Sequence, residues 1–173
     1  MNRAFIAIIL PEEVKKKLKE KQEEIKDLLE GDSVKWVEEE NLHITLSFLG
    51  VIKNKEKLIE KLREVDEKSF SVEIKEVCYF PEDKKEVKMI WVNVNDKEIK
   101  NLLKEIDGSL DITPHITLGR VRKWEWQKMS PESIPDIEDY LEISFKVESF
   151  FLVESKIRRK GPDYEIIEEF KLK

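Results

Sequence analysis

The sequence contains little of what usually marks a catalytic or structural site. Its 173 residues include one cysteine, two histidines and five glycines. A lone Cys78 cannot close an intramolecular disulfide and cannot by itself form a zinc site. Because its neighbours Val77 and Tyr79 favour strands, we interpret Cys78 as core packing. None of the glycines falls in a Walker loop, a GxGxxG fingerprint or a nucleophile elbow, which excludes those nucleotide-binding and hydrolase motifs.

The sequence also lacks a long apolar run. The apolar stretch at residues 3–10 (RAFIAIIL) is too short to cross a bilayer. It leads into Pro11 and a helix start without a small-residue cleavage site, so it does not resemble an export signal. We therefore expect a cytoplasmic protein that does not bind a membrane.

Neither sign of charge dominates the sequence. The chain has 32 basic and 38 acidic residues, which gives a formal net charge of −6. A protein that coats nucleic acid would normally be basic, so the balance leaves room only for a local basic patch.

The order of predicted elements repeats along the chain. A strand at residues 3–10, a helix from Pro11 to about Gly31 and a strand at 43–49 make the first copy. Strand, helix and strand recur within residues 87–121. Since no linker rich in glycine, serine or proline separates the copies, we predict one α+β domain over residues 1–173. Its two similar lobes should meet along a shared cleft.

The last strand of each copy opens with the same four residues, His-Ile-Thr-Leu, at 43–46 and 115–118. These words contain both histidines of the chain. Strand side chains alternate between faces, so His43 shares a face with Thr45, and His115 shares one with Thr117. The aliphatic residues of each word, and Phe48 after the first, are predicted on the opposite, core face.

Histidine exchanges protons near neutral pH, and a threonine hydroxyl can donate a hydrogen bond to an anionic oxygen. Two facing His–Thr pairs could therefore hold one phosphoryl group and open a cyclic phosphodiester, with one histidine as base and the other as acid. Two histidines are too few ligands for a metal site, and no acidic or thiol cluster lies beside them at ligand spacing. We predict a reaction without metal or cofactor.

Four segments together resemble the 2H phosphoesterase superfamily, and specifically its RNA 2′,3′-cyclic phosphodiesterases, formerly called 2′-5′ RNA ligases. They are RAFIAIILPEEV, NLHITLSFLG, TPHITLGRVR and FFLVESKIRRKGPDYEIIEEF, in the family's order. The resemblance implies a bilobal fold with antiparallel sheets lining a central groove and helices outside. It also implies hydrolysis of a 2′,3′-cyclic phosphate to a 2′-phosphate without metal.

The resemblance assigns roles that the residues alone leave open. It makes His43 the proton donor to the 3′ oxygen and His115 the proton acceptor from water, with Thr45 and Thr117 binding phosphate. Arg120 takes the arginine position that the family has five residues after the second histidine, where it would contact phosphate or RNA.

Arg120 raises a question of geometry. Strict alternation would turn it away from the face of His115, so a bulge or the strand's end must redirect it. Gly119 eases such a distortion. The alternative is that Arg120 forms a surface ion pair.

Weaker signals lie outside the two words. The basic cluster (Lys156, Arg158, Arg159 and Lys160) could guide RNA or simply be a solvated hairpin tip. Trp124 and Trp126 alternate like strand neighbours, and we favour packing or partial surface burial over base stacking for both. Trp36 and Trp91 are interpreted as core, and Lys15–Lys19 as the exposed face of the first helix.

Three functions compete at this point. The leading hypothesis is a monomeric, metal-independent phosphodiesterase that acts on RNA 2′,3′-cyclic phosphate ends or cyclic nucleotides. The second hypothesis is a 2′-5′ RNA ligase, in which the same site would catalyse the reverse reaction and join a cyclic phosphate to a 5′-hydroxyl. The third is a nucleotide- or RNA-binding module without catalysis.

Overall fold

The computed structural model describes residues 3–29, 31–95, 97–108, 112–159 and 161–173. Within these ranges the strands are β1 (Arg3–Ile9), β2 (Val34–Trp36), β3 (His43–Gly50), β4 (Phe70–Phe80), β5 (Met89–Val94), β6 (His115–Val121), β7 (Asp139–Val147), β8 (Ser149–Arg158) and β9 (Gly161–Lys171). The helices are α1 (Glu12–Leu28), α2 (Lys55–Arg63), α3 (Lys97–Asp107) and α4 (Lys123–Trp126), with short 3₁₀ turns at Glu39–Asn41 and Pro131–Ser133.

The strands of the described chain form one antiparallel sheet in the order β7-β4-β5-β6-β3-β1-β8-β9, with β2 paired to β6. The two predicted strand–helix–strand copies are β1-α1-β3 and β5-α3-β6. They meet where β3 pairs with β6, through Ile44 opposite Ile116. The predicted α+β class with antiparallel strands is confirmed, and the strands of the two halves are hydrogen-bonded into a continuous sheet.

One face of this sheet carries the main core. Ile6, Ile44 and Ile116 point to it and are at most 1% exposed. The helices add their apolar stripes to the same cluster: Val14, Leu18 and Ile25 from α1, Leu62 from α2, and Ile99, Leu102, Leu103 and Ile106 from α3. The opposite face is covered by none of these stripes, and we call it the cleft face. No helix within the described ranges is both long and apolar enough to span a bilayer.

Each HITL strand carries a bulge directly after its threonine, and β3 has a second register shift at Leu49. In β3, Thr45 pairs with Ala7 but Ser47 pairs with Ile6, so Leu46 is the extra residue. In β6, Thr117 pairs with Trp91 but Gly119 pairs with Ile90, so Leu118 is the extra residue. An extra residue reverses the alternation of the side chains that follow it.

The two bulges decide the faces of Phe48 and Arg120. The predicted core position of Phe48 is wrong: Phe48 lies opposite Phe5 on the cleft face and is 76% exposed. Of the two predicted ways to redirect Arg120, a bulge or the strand's end, the bulge is observed, and Arg120 shares the face of His115 and Thr117.

The other sequence interpretations are partly confirmed and partly wrong. Trp126 is buried as predicted, but residues 123–126 are helical and Trp124 is 75% exposed. Trp91 is buried, although it lies on the cleft face opposite Thr117. The prediction that Lys15 lies on the exposed face of α1 is wrong. Lys15 is 5% exposed, and its ammonium group forms an ion pair with Glu12.

Gly119 has no room for a side chain. A Cβ there would lie 2.5 Å from Val34 Cγ1 and 3.2 Å from the Trp36 ring, because β2 pairs with β6 at this point and Trp36 lies opposite Gly119. Contacts shorter than van der Waals distance with a neighbouring strand force the backbone to shift. Glycine at 119 therefore allows β2 to pair beside Arg120.

Gly119→Ala should lower the free energy of unfolding by about 1–3 kcal/mol, as overpacking typically does. The matched control is Gly108→Ala, whose added Cβ would meet, among the described residues, the Lys104 carbonyl oxygen at an ordinary 3.7 Å. Urea denaturation of both variants measures the effect. Equal unfolding midpoints for the two variants would show that β2 does not press on Gly119.

Candidate functional site

The predicted site residues come together on the cleft face at the junction of β3 and β6. Ile44 faces Ile116 across this junction, and both point into the core. Continuing that antiparallel register by one residue in each direction puts His43 beside Thr117 and His115 beside Thr45. The two histidines are then diagonal neighbours, whose Cα atoms lie roughly 7–8 Å apart in a regular strand pair. An approximate two-fold axis therefore relates the half of the site with His43 and Thr45 to the half with His115 and Thr117.

Both imidazoles are oriented in the same way. His43 Nδ1 lies 2.7 Å from the Asn41 carbonyl oxygen, and His115 Nδ1 lies 2.8 Å from the Thr113 carbonyl oxygen. A carbonyl can only accept, so Nδ1 carries the proton and donates in each ring. Nε2 of each histidine is therefore the nitrogen that can take up or release a proton.

Thr45 is in contact with the reactive nitrogen of His43. Its Oγ1 lies 2.9 Å from His43 Nε2. The hydroxyl donates to the neutral ring and can accept from the protonated one. Thr45 therefore stays hydrogen-bonded whichever protonation state His43 adopts.

Aromatic rings support the two imidazoles from neighbouring strands. His43 lies 5.0 Å from the Phe5 ring on β1 and 5.4 Å from the Tyr164 ring on β9. His115 lies 4.1 Å from the Trp91 ring on β5, measured between centroids. Trp91 is fixed in turn by its indole N–H, which donates to Cys78 Sγ at 3.0 Å. Cys78 is half-buried on the cleft face rather than in the main core.

Burial lowers the pKa of both histidines below the ordinary value of 6.5. The backbone carbonyls oppose this effect by stabilising the protonated rings. The positive charges of His115 and Arg120 lower the pKa of His43 further, and Arg120 lowers that of His115. The two imidazoles therefore compete for protons, and an anion bound between them would favour protonation.

Arg120 is exposed on the cleft face, between Lys35 on β2 and Met89 on β5. Its positive charge contributes to lowering the pKa of both histidines and opposes the effect of burial on the pKa of Tyr164. The alternative prediction for Arg120 is a surface ion pair. At this end of β6 the ion pair is formed by Arg122, whose Nη2 lies 3.3 Å from Asp32 Oδ2.

Gln22 of α1 holds the bulge that directs Arg120. Its side-chain Nε2 donates to the carbonyls of Val37 at 2.9 Å and of Leu118, the bulged residue, at 2.8 Å. The Leu118 carbonyl also accepts from the Val37 N–H at 2.9 Å. Gln22 is 1% exposed, so these bonds are shielded from water.

Asn41 connects the β8–β9 hairpin to His43. Its carbonyl holds the imidazole, and its side-chain amide donates to the Pro162 carbonyl at 3.1 Å. The same hairpin supplies Tyr164. The sequence could not show this link, because it joins residues 121 positions apart.

Two of the four residues of the basic cluster on this hairpin are paired with acidic side chains. Lys156 contacts Glu165, and Arg158 Nε lies 2.8 Å from Asp163. Lys160 lies outside the described residues. These cross-strand pairs favour the solvated hairpin tip over an RNA guide.

Of the site residues that the sequence analysis missed, Phe48 is the one whose position the sequence could have predicted. The bulge that Arg120 needs after the second word applies equally to the first, and it would have moved Phe48 to the cleft face. Phe5, Trp91, Gln22 and Asn41 carried no such signal. In the described part of the chain, no three histidine, cysteine or acidic side chains are grouped to hold a metal ion.

Comparison with known proteins gives consistent matches. A profile of the LigT-like phosphoesterase family matches residues 8–91. A Methanocaldococcus jannaschii protein named RNA 2′,3′-cyclic phosphodiesterase is 32% identical over 97% of this chain and 99% of its own length. A Thermotoga maritima protein of the same name is 33% identical over 96% of this chain and 94% of its own. A crystal structure of a Thermus thermophilus protein superposes with a TM-score of 0.80 at 25% identity, covering 98% of this chain and 97% of that one.

Arg120→Gln should raise the pKa of both histidines, because its positive charge disfavours a proton on each ring. At a given pH below neutrality, a larger fraction of each imidazole should then be protonated. Carbon-detected NMR titration can follow each imidazole separately, since the chain has two histidines. The matched control is Arg122→Gln, which removes an equal charge that is paired with Asp32. Equal shifts in both variants would refute a direct field from Arg120.

Proposed function

This chain belongs to the LigT-like phosphoesterase family, and we propose that it hydrolyses RNA 2′,3′-cyclic phosphate ends to 2′-phosphates by metal-independent acid–base catalysis. One observation carries the proposal. Two histidines, each with Nδ1 held by a carbonyl two residues upstream, lie diagonally across one strand pair with a threonine beside each.

In the proposed reaction, Nε2 of His115 takes a proton from a water molecule as the water oxygen attacks phosphorus. The bond between phosphorus and the 3′ oxygen breaks, and protonated His43 gives its Nε2 proton to that oxygen. The product carries a 2′-phosphate and a free 3′-hydroxyl. The enzyme ends with the proton moved from His43 to His115, and exchange with solvent restores the starting state.

The other predicted residues act on the non-bridging oxygens. The hydroxyls of Thr45 and Thr117 donate hydrogen bonds to them, and the guanidinium of Arg120 offsets the charge that builds up during attack. A bound cyclic phosphate carries a negative charge, which favours the protonated state of His43 against the burial that lowers its pKa.

The proposed substrate class is supported by the relatives named RNA 2′,3′-cyclic phosphodiesterase. A cleft face open to solvent at β3 and β6 can accept the end of an RNA chain or a small cyclic nucleotide. One chain supplies both histidines and both threonines, so a monomer suffices for the chemistry. We place the reaction in the cytoplasm.

Purified protein incubated with excess EDTA and a nucleoside 2′,3′-cyclic phosphate should yield the 2′-phosphate. His43→Ala and His115→Ala should each reduce kcat by about 10²- to 10⁴-fold, the usual contribution of one acid or base. Phosphorus NMR identifies the product isomer and chromatography gives the rate.

The matched control is Tyr140→Ala, which removes an exposed ring on the edge strand β7. It should retain the wild-type rate, and thermal melting should show all variants folded. A rate abolished by EDTA and restored by a divalent metal would contradict metal independence. Wild-type turnover in either histidine variant would contradict the acid–base roles.

A further inference from the structure

The two halves of the site differ in what lies opposite each threonine. Thr45 lies opposite Ala7 on β1, whereas Thr117 lies opposite Trp91 on β5. The second half therefore has an indole where the first half has a methyl group. The centroid of this indole is 4.1 Å from that of the His115 ring, and the two ring planes are tilted by 39°. At this distance and tilt the imidazole lies over the face of the indole.

Trp91 is held in this orientation by two contacts. Its indole N–H donates to Cys78 Sγ at 3.0 Å, and the Phe80 ring stacks on it with centroids 3.8 Å apart. The register of β5 with its neighbours places Phe80 and His115 on either side of Trp91 along the strand. Trp91 is 7% exposed. The indole is therefore a fixed surface that is shielded from water and is in contact with one imidazole of the site.

An aromatic face of this kind attracts a positive charge. A cation within about 6 Å of the centroid is drawn to the negative face of the ring, and indole attracts it more strongly than phenyl does. His115 becomes positively charged when it takes up a proton. His43 has weaker partners at longer distances, since the Phe5 and Tyr164 rings lie 5.0 Å and 5.4 Å away. Protonation should therefore gain more from a neighbouring ring at His115 than at His43.

The charged groups that act directly on His115 oppose its protonation. Arg120 on β6 lowers the pKa of His115, and the positive charges of His115 and His43 disfavour each other. On β4, burial raises the pKa of Cys78, so its thiol is neutral near neutral pH. The Glu76 carboxylate on the same strand is hydrogen-bonded to a side-chain amide of β5 at 3.3 Å. The indole face therefore acts against both positive charges, together with the carbonyl that is bonded to Nδ1.

We propose that Trp91 is a positioning residue whose indole face stabilises the protonated form of His115 and so makes this histidine the proton acceptor. The inference rests on the proposed function for the reaction itself. It gives a physical reason for unequal roles, because the two HITL words are identical in sequence. In the proposed reaction His115 gains a proton as water attacks phosphorus, and the indole stabilises the charge that develops on the ring.

The experiment changes the electron density of the indole and keeps its size and burial. Tryptophan with one, two or four ring fluorines is incorporated at position 91 through a suppressor tRNA. Each fluorine withdraws electron density from the ring face and weakens its attraction for a cation. Carbon-detected NMR titration then gives the proton affinity of each histidine.

The matched control is the same fluorine series at Trp126. This indole is also buried, at 2% exposed, and its N–H donates to the Lys84 carbonyl at 2.8 Å. Its ring contacts the Tyr79 ring and not a histidine. The series at Trp126 therefore introduces the same fluorinated side chain without the proposed interaction.

The proton affinity of His115 should fall step by step with the number of fluorines at position 91. The loss should reach roughly 2- to 30-fold in the tetrafluoro form, the range expected for one cation–π contact. The affinity of His43 should not fall, and the series at Trp126 should leave both histidines unchanged. A His115 affinity that stays constant or rises along the series would overturn the inference, because a ring that only buries the histidine acts equally with or without fluorine.

A kinetic arm relates the titration to the proposed reaction. The kcat for uridine 2′,3′-cyclic phosphate, taken at the pH optimum of each protein, should fall in the same order. It should fall by no more than the proton affinity does, because the ring carries only part of a full charge in the transition state. An unchanged kcat beside a lowered His115 affinity would overturn the role of Trp91 in catalysis. The titration needs no substrate, so a wild-type protein without hydrolysis would contradict the proposed function alone.

Discussion

The contact between Ile44 and Ile116 is the constraint on which the rest of the site depends. These fully buried residues fix the one point where β3 pairs with β6. Because strand side chains alternate, burying both isoleucines forces His43 and His115 onto the opposite face, one residue to either side. A slip of one residue would bury a histidine instead. The core therefore determines where the chemistry can take place.

The backbone then gives each imidazole the same orientation but a different surrounding. In both rings Nδ1 donates to a carbonyl two residues upstream, so Nε2 is the nitrogen that can take up or release a proton. The bulges after Thr45 and Thr117 then bring unlike side chains, Phe48 and Arg120, to equivalent places. A symmetric framework thus presents two equivalent ring nitrogens on the cleft face, with a phenyl ring beside one half and a guanidinium beside the other.

Much of this could be predicted from the sequence, because it depends on local patterns. Period-two alternation in the HITL words placed the histidines and threonines on one face, and helical spacing identified the stripes of α1 and α3. The rest depends on contacts between distant segments. The close packing of β2 at Gly119, the hydrogen bonds of Gln22 to the bulge and the link from Asn41 to the β8–β9 hairpin leave no local signature. Alternation alone also misplaced Phe48, since a bulge shifts the phase of the strand.

The most direct test of the account is a crystal structure with a uridine–vanadate complex, which mimics five-coordinate phosphorus during attack. His43 Nε2 should lie within hydrogen-bonding distance of the vanadate oxygen joined to the 3′ carbon. His115 Nε2 should contact the oxygen on the opposite side, in line with it. A vanadate contacted by one imidazole alone, or by both from the same side, would contradict the account.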